Sequence, residues 1–152
     1  MKRFSRRQWL LAALAAPLAA RAANAVLPTP ESLAAELGMA VSLRRALVVM
    51  FSLSGCPWCK LVRQSYLAPL RAEGQPVIEV DMAGTHAIAG FDDAPTTGTR
   101  MARALGVRVA PTLLFVGRGG REVAERLRGV PSQDFYGVYL QQRVEAANHA
   151  AA

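Results

Sequence analysis

An α/β fold is predicted by three neighbouring observations. The run Leu47-Val48-Val49-Met50-Phe51-Ser52-Leu53 is short, β-branched, aromatic and bounded by small turn residues, which reads as a buried strand. Pro57 follows, suited to a first helical position because its missing N–H needs no partner there. Leu61, Val62, Tyr66, Leu67 and Leu70 then keep roughly helical spacing as far as Arg71. After the turn Glu73-Gly74-Gln75-Pro76, the run Val77-Ile78-Glu79-Val80-Asp81 reads as a second strand. A helix joins the two strands, so they are expected to be parallel.

The chain has two cysteines, and both sit at the first strand-to-helix junction, in Ser54-Gly55-Cys56-Pro57-Trp58-Cys59-Lys60. This placement makes Cys56 the N-cap. A thiolate there accepts N–H bonds from the first turn and faces the positive end of the helix dipole. Both effects favour the charged form, and reactivity follows the thiolate. Cys59, one turn on, is near enough to close a small disulfide ring, so the pair reads as a dithiol/disulfide switch. Two plainer readings compete. Structural zinc wants four ligands, and His86 and His149 are too far apart in sequence for the usual spacing. A structural disulfide closing so short a loop contributes little chain entropy.

Residues 1–25 read as an export leader. Lys2, Arg3, Arg6 and Arg7 form a basic start, Leu10 to Ala20 is apolar, and Ala23-Asn24-Ala25 offers a small-x-small cleavage pattern. The apolar run is too short to span a bilayer, which needs roughly 17–25 residues. Ser5-Arg6-Arg7-Gln8-Trp9-Leu10 resembles the twin-arginine export motif, with the general route as the alternative. Both point to the bacterial periplasm. Without the leader, 13 cations face 11 acids, a net charge of +2, against +7 for the whole sequence. The high net charge thus belongs largely to the leader and gives no support to nucleic-acid binding, which wants a basic stripe on the folded domain. Residues 26–152 suffice for one domain with one core.

Within that domain, Thr29-Pro30-Glu31-Ser32 predicts an N-cap at Thr29 with Pro30 at the first helical position. Leu33, Leu37 and Val41 give this helix an apolar stripe to about Arg44–Arg45. Residues 83–98 are turn-rich and read as a long loop, expected near the active-site face, with His86 on the surface. A helix from about Thr99 to Leu105 ends at Gly106. Arg118-Gly119-Gly120-Arg121 predicts a hairpin turn, and Glu122 to Leu127 the edge strand after it. Pro131-Ser132 opens a last helix with Phe135, Tyr139, Leu140 and Val144 facing inward, and residues 146–152 are expected to fray.

The stretch Gly106-Val107-Arg108-Val109-Ala110-Pro111-Thr112-Leu113-Leu114-Phe115-Val116, taken with the cysteine pair and the Gly-Gly hairpin, resembles the thioredoxin superfamily over about residues 40–146. It is most similar to exported single-domain thioredoxins, including those of sulfur-oxidation clusters. The resemblance implies a thioredoxin fold, with a central mixed sheet of four or five strands and helices on both faces. It implies that Cys56 is the nucleophile and Cys59 the resolving cysteine. Lys60 matches the lysine often following, and Pro57 and Trp58 form the intervening dipeptide. It further implies a cis Pro111 packed on the disulfide, between Ala110, whose backbone would pair with substrate, and Thr112.

The chain departs from the family in three places. The buried Asp six residues before the first cysteine is Met50 here, and the aromatic residue two further on is Ser52. Cys59 must then lose its proton to water or to another group such as Glu79. The dipeptide Pro57-Trp58 resembles less reducing relatives. The resemblance implies a monomeric periplasmic oxidoreductase that reduces disulfide-bearing substrate proteins, without organic cofactor or metal. Electrons would come from a membrane dithiol donor. The alternatives are a disulfide oxidase or isomerase, and a copper-binding chaperone using the two thiolates.

Overall fold

Strand β1 (Leu47–Ser52) is buried along its whole length in the computed structural model, which describes residues 26–152. The predicted leader lies outside the described residues. On one side β1 pairs in parallel with β2 (Val77–Asp81), and on the other in antiparallel with β5 (Thr112–Gly117). Strand β6 (Arg121–Arg128) closes the far edge, giving the order β2-β1-β5-β6. Side chains alternate between two core layers, as the pleat requires. Val48, Met50, Val77, Leu113 and Phe115 pack on one face, beneath helices α2 (Pro57–Val62) and α5 (Tyr136–Ala151). Leu47, Val49, Phe51, Ile78, Val80 and Leu114 fill the other, beneath α1 (Leu33–Ser42) and α4 (Gly98–Ala104). No helix among the described residues is long and apolar enough to cross a membrane.

Several elements differ from the expectations. Helix α1 is capped by Ser32, whose Oγ accepts from Ala35 N at 3.1 Å, rather than by Thr29. Residues before it are held as an extended strap: Pro28 O accepts from Glu79 N, and Glu31 O from Ala89 N. The helix after the cysteines is not uniform. A π-turn, Arg63–Leu67, separates α2 from α3 (Ala68–Ala72). Pro69 lacks the N–H for the next helical bond and its ring crowds the preceding turn, so Ala68 N reaches back to Arg63 O.

The predicted loop 83–98 contains a small hairpin, β3 (Ala87–Ala89) against β4 (Pro95–Thr97). Its base is fixed at the C-terminal end of β2: a Cβ on Gly98 would lie 2.0 Å from Asp81 O, so only glycine fits there. Its tip reaches the opposite end of the sheet, where Phe91 lies over Gly120 in the β5–β6 turn.

The last helix buries Tyr136, Leu140, Val144, Ala147 and Ala151, whereas Phe135 and Tyr139 are exposed. Leu140 and Val144 face inward as predicted, while Tyr136 takes the place expected of Phe135. The end of the helix does not fray, because Asn148 closes a polar clasp. Asn148 Oδ1 accepts from Ala46 N at 2.9 Å, and its Nδ2 donates to Gln75 Oε1 at 2.9 Å. The buried Gln75 completes the clasp by donating from Nε2 to Ala46 O at 2.7 Å.

Asn148→Ala should lower unfolding free energy by about 1–3 kcal/mol, the cost of leaving buried partners unmet. Urea titration showing a loss below about 0.5 kcal/mol would mean that water replaces the amide. A second expectation concerns Tyr136, whose hydroxyl is buried and finds no partner among the described residues. Burial, with a smaller contribution from nearby Tyr66, raises its pKa above the ordinary tyrosine value. The unfolded chain ionises near pH 10 while the folded one does not, so stability falls as pH rises past about 10. Tyr136→Phe should keep or improve Tm at neutral pH and reduce the decline between pH 9 and 11 relative to the unaltered chain.

Candidate active site

Local sequence explains why the cysteines stand where β1 ends. Gly55 adopts φ +74, the left-handed turn that stops the strand, and Cys56 N donates to Leu53 O at 3.3 Å. Cys56 is then extended, at φ −76 and ψ 113, and Pro57 begins the helix. Cys56 Sγ accepts from Cys59 N at 3.1 Å, and Lys60 N donates to Cys56 O at 3.1 Å. The two cysteines form a disulfide with Cα atoms 5.2 Å apart. They are not equivalent: Cys59 is fully buried in the α2/α5 layer, while Cys56 is only partly covered.

Antiparallel pairing brings the second part of the site alongside. Thr112 opposes Phe51, so the start of β5 lies beside the end of β1. The Ala110–Pro111 peptide bond is cis, and Ala110 O lies 3.9 Å from Cys56 Sγ. Thr112 Oγ1 donates to Val109 O at 2.7 Å, and Gly129 N to Pro111 O at 2.7 Å, which fixes this segment from both sides. Trp58, Leu53 and Val109 leave an exposed apolar rim. The structure thus gathers Cys56, Cys59, Pro57, Ala110, Pro111 and Thr112, with Trp58 and Lys60 on the exposed first turn of α2.

On the other side of Cys56 opens a cavity of about 770 Å³. The strap supplies one wall through Val26, Leu27 and Thr29, and Lys60, Arg63 and Glu79 supply polar groups. Arg63 Nε donates to Glu79 Oε2 at 2.7 Å, and Arg63 Nη2 makes a second bond to Oε1. The hydrogen bond to Glu79 raises the Arg63 guanidinium above its ordinary pKa. Glu79, named from the sequence as a group that could take the Cys59 proton, is half of an ion pair. Its strand neighbour is Met50, buried with Cys59 in the same layer.

Sequence reasoning missed Arg63 and the strap. Arg63 carried a usable signal, since a residue four beyond Cys59 shares its helix face. None of residues 83–98 lines this cavity, although the loop's base, at Gly84 and Gly98, packs on Asp81 in its wall. Among the described residues, no group of three or more His, Cys, Asp or Glu is arranged to hold a metal ion.

The thioredoxin-like domain family matches residues 33–142. A thioredoxin from Thermus thermophilus shares 23% identity with a TM-score of 0.52, over 77% of this chain and 87% of its own. Mitochondrial thioredoxin 3 from Saccharomyces cerevisiae shares 16% identity with a TM-score of 0.51, over 78% and 93%. The periplasmic thioredoxin SoxS from Paracoccus pantotrophus shares 21% identity with a TM-score of 0.43, over 67% and 98%. None of the curated proteins gives a match. The first two likenesses are of fold, while the family match spans most of the chain. The chain belongs to the thioredoxin-like family, and its Cys56–Cys59 pair makes it a thiol–disulfide oxidoreductase of that family.

Proposed function

We propose that the protein works in the bacterial periplasm, reducing disulfides of other exported proteins, with Cys56 as nucleophile and Cys59 as resolving cysteine. The inequality of the two sulfurs carries this reading. Cys56 Sγ is partly exposed and accepts an N–H bond at a helix start, whereas Cys59 is fully buried. In the reduced chain that bond and the helix dipole favour a Cys56 thiolate. The thiolate attacks a substrate disulfide and forms a mixed disulfide; Cys59 then displaces the substrate thiol and leaves the intramolecular bridge.

Flanking groups suit an extended peptide substrate. Ala110 O next to Cys56 offers a backbone acceptor, positioned by Pro111 and Thr112. The exposed Trp58 suits an apolar flank, Pro57 starts the helix, and Lys60 adds a cation at the cavity. Exchange between thiols needs no organic cofactor. Electrons come from a second dithiol protein, in this reading one embedded in the membrane. A monomer suffices, since the residues invoked lie on one chain.

Export rests on the basic start, the apolar run and Ala23-Asn24-Ala25, with cleavage near Ala25. The reducing direction rests on the compartment: the periplasm is kept oxidising by dedicated enzymes, so a specific reductant adds what is missing there. The expected reduction potential lies between about −270 and about −120 mV.

Iodoacetamide should label Cys56 before Cys59 at neutral pH, with a rate titrating below the free-thiol value of about 8.5. Equal labelling, or Cys59 leading, overturns the assigned roles. Mass spectrometry of the periplasmic fraction should place the mature N-terminus at or near Val26; an intact residue 1–25 segment on cytosolic protein refutes export. Alkylation trapping in cells should find the pair mainly reduced. Full oxidation, with rescue of disulfide formation in an oxidase-deficient strain, reverses the direction.

A further inference from the structure

The resolving step presents a difficulty that the core layer makes acute. Cys59 must become a thiolate to displace the substrate, yet it is fully buried among Val62, Met50 and Leu113. Burial in apolar surroundings raises a thiol's pKa. Met50, in the same apolar layer, has no proton to move.

We propose that Glu79, held in place by Arg63, is the base that takes the Cys59 proton through water admitted from the cavity; the proposal rests on the dithiol reading above. Three observations converge on it. Glu79 is the register partner of Met50 on the neighbouring strand and follows Val77 on the same sheet face, the face that Cys59 packs against. Its partner Arg63 lies four residues after Cys59, on the same side of the helix. Both line the cavity whose wall also includes Cys56, Pro57 and Lys60, the turn that carries the buried Cys59.

The charge balance favours this route. Arg63 uses one lone pair on each Glu79 oxygen, leaving the others free to accept from water. When the proton moves from Cys59 Sγ to Glu79, negative charge passes from carboxylate to sulfur. The transfer leaves the charge of the site unchanged, so no net charge is created in a half-covered site. The thiolate then attacks Cys56 Sγ, the mixed disulfide breaks, and the leaving substrate thiolate takes a proton from Glu79 or solvent. Atoms balance as Cys59–SH plus Cys56–S–S–R giving Cys56–S–S–Cys59 plus R–SH. The other charged groups facing the cavity are Lys60 on the helix and Asp81 on β2; the strap residues Val26, Leu27 and Thr29 add no charged side chain.

Stopped-flow reaction of the reduced protein with an aromatic disulfide reagent separates the steps, since Cys56 releases one chromophoric thiol and Cys59 the second. Glu79→Gln should slow the second release by about tenfold or more at pH 7, a general-base effect. Hydroxide then replaces the lost base, so the deficit should shrink as pH rises, and Glu79→Asp should recover part of the rate. The double variant Glu79→Gln/Arg63→Gln leaves no orphaned cation and should show the same loss if the single variant folds poorly. A slowing of less than tenfold, or one equal at every pH, overturns the proposal. The first release, measured in the unaltered chain, reports separately on the dithiol reading: without a fast Cys56 phase there, that reading fails first.

Discussion

Because β1 sends side chains into both core layers, its register with β2 and β5 cannot slip by one residue without turning both layers inside out. Leu47, Val49 and Phe51 would trade places with Val48 and Met50, and their neighbours on β2 and β5 would lose their partners. That constraint fixes where β1 stops, and hence where Gly55 turns the chain and Cys56 begins the helix. The same register sets Phe51 opposite Thr112, which brings Ala110 and Pro111 to the sulfur although they lie far along the chain. It also sets Met50 beside Glu79. The dithiol, its peptide-facing segment and its ion pair are all placed by one buried strand.

The site divides the surroundings of Cys56 into two unlike sides. Toward Ala110 the surface is an apolar rim with a backbone acceptor, suited to recognising another chain. Toward the strap it is a cavity with paired charges, suited to water and protons. One sulfur borders both. The two sides are separate, so occupation of the apolar rim leaves the cavity open.

Much of this was legible from local chemistry. The apolar run of β1, the N-cap position of Cys56 and the Gly-Gly turn each follow from rules acting over a few residues, and each is present. What escaped the sequence depends on partners distant in the chain. Thr29 and Ser32 are both competent caps, and the choice of Ser32 was made by hydrogen bonds from Glu79 and Ala89 that hold the preceding residues extended. Pro69 announced a disturbance, but not that a π-turn would absorb it. At the start of α5 the inward position was misplaced by one residue, because Phe135 and Tyr136 are both aromatic candidates and packing against Tyr66 selects the second. The position of Arg63 one turn beyond Cys59 was readable, but its partner Glu79, on the neighbouring strand, was not.

The clasp of Ala46, Gln75 and Asn148 has a consequence for how the chain is made. It joins residues 102 apart in sequence, and Asn148 lies in the final turns of the last helix. A polypeptide emerging N-terminus first has the residues of β1, β2 and β5 available before Asn148 exists. Until then the Ala46 N–H lacks its side-chain partner, at the point where β1 enters the core. The contact therefore acts as a check on completeness: a chain cut short by a few residues keeps every strand and both cysteines, yet leaves the central strand unsealed at its entrance.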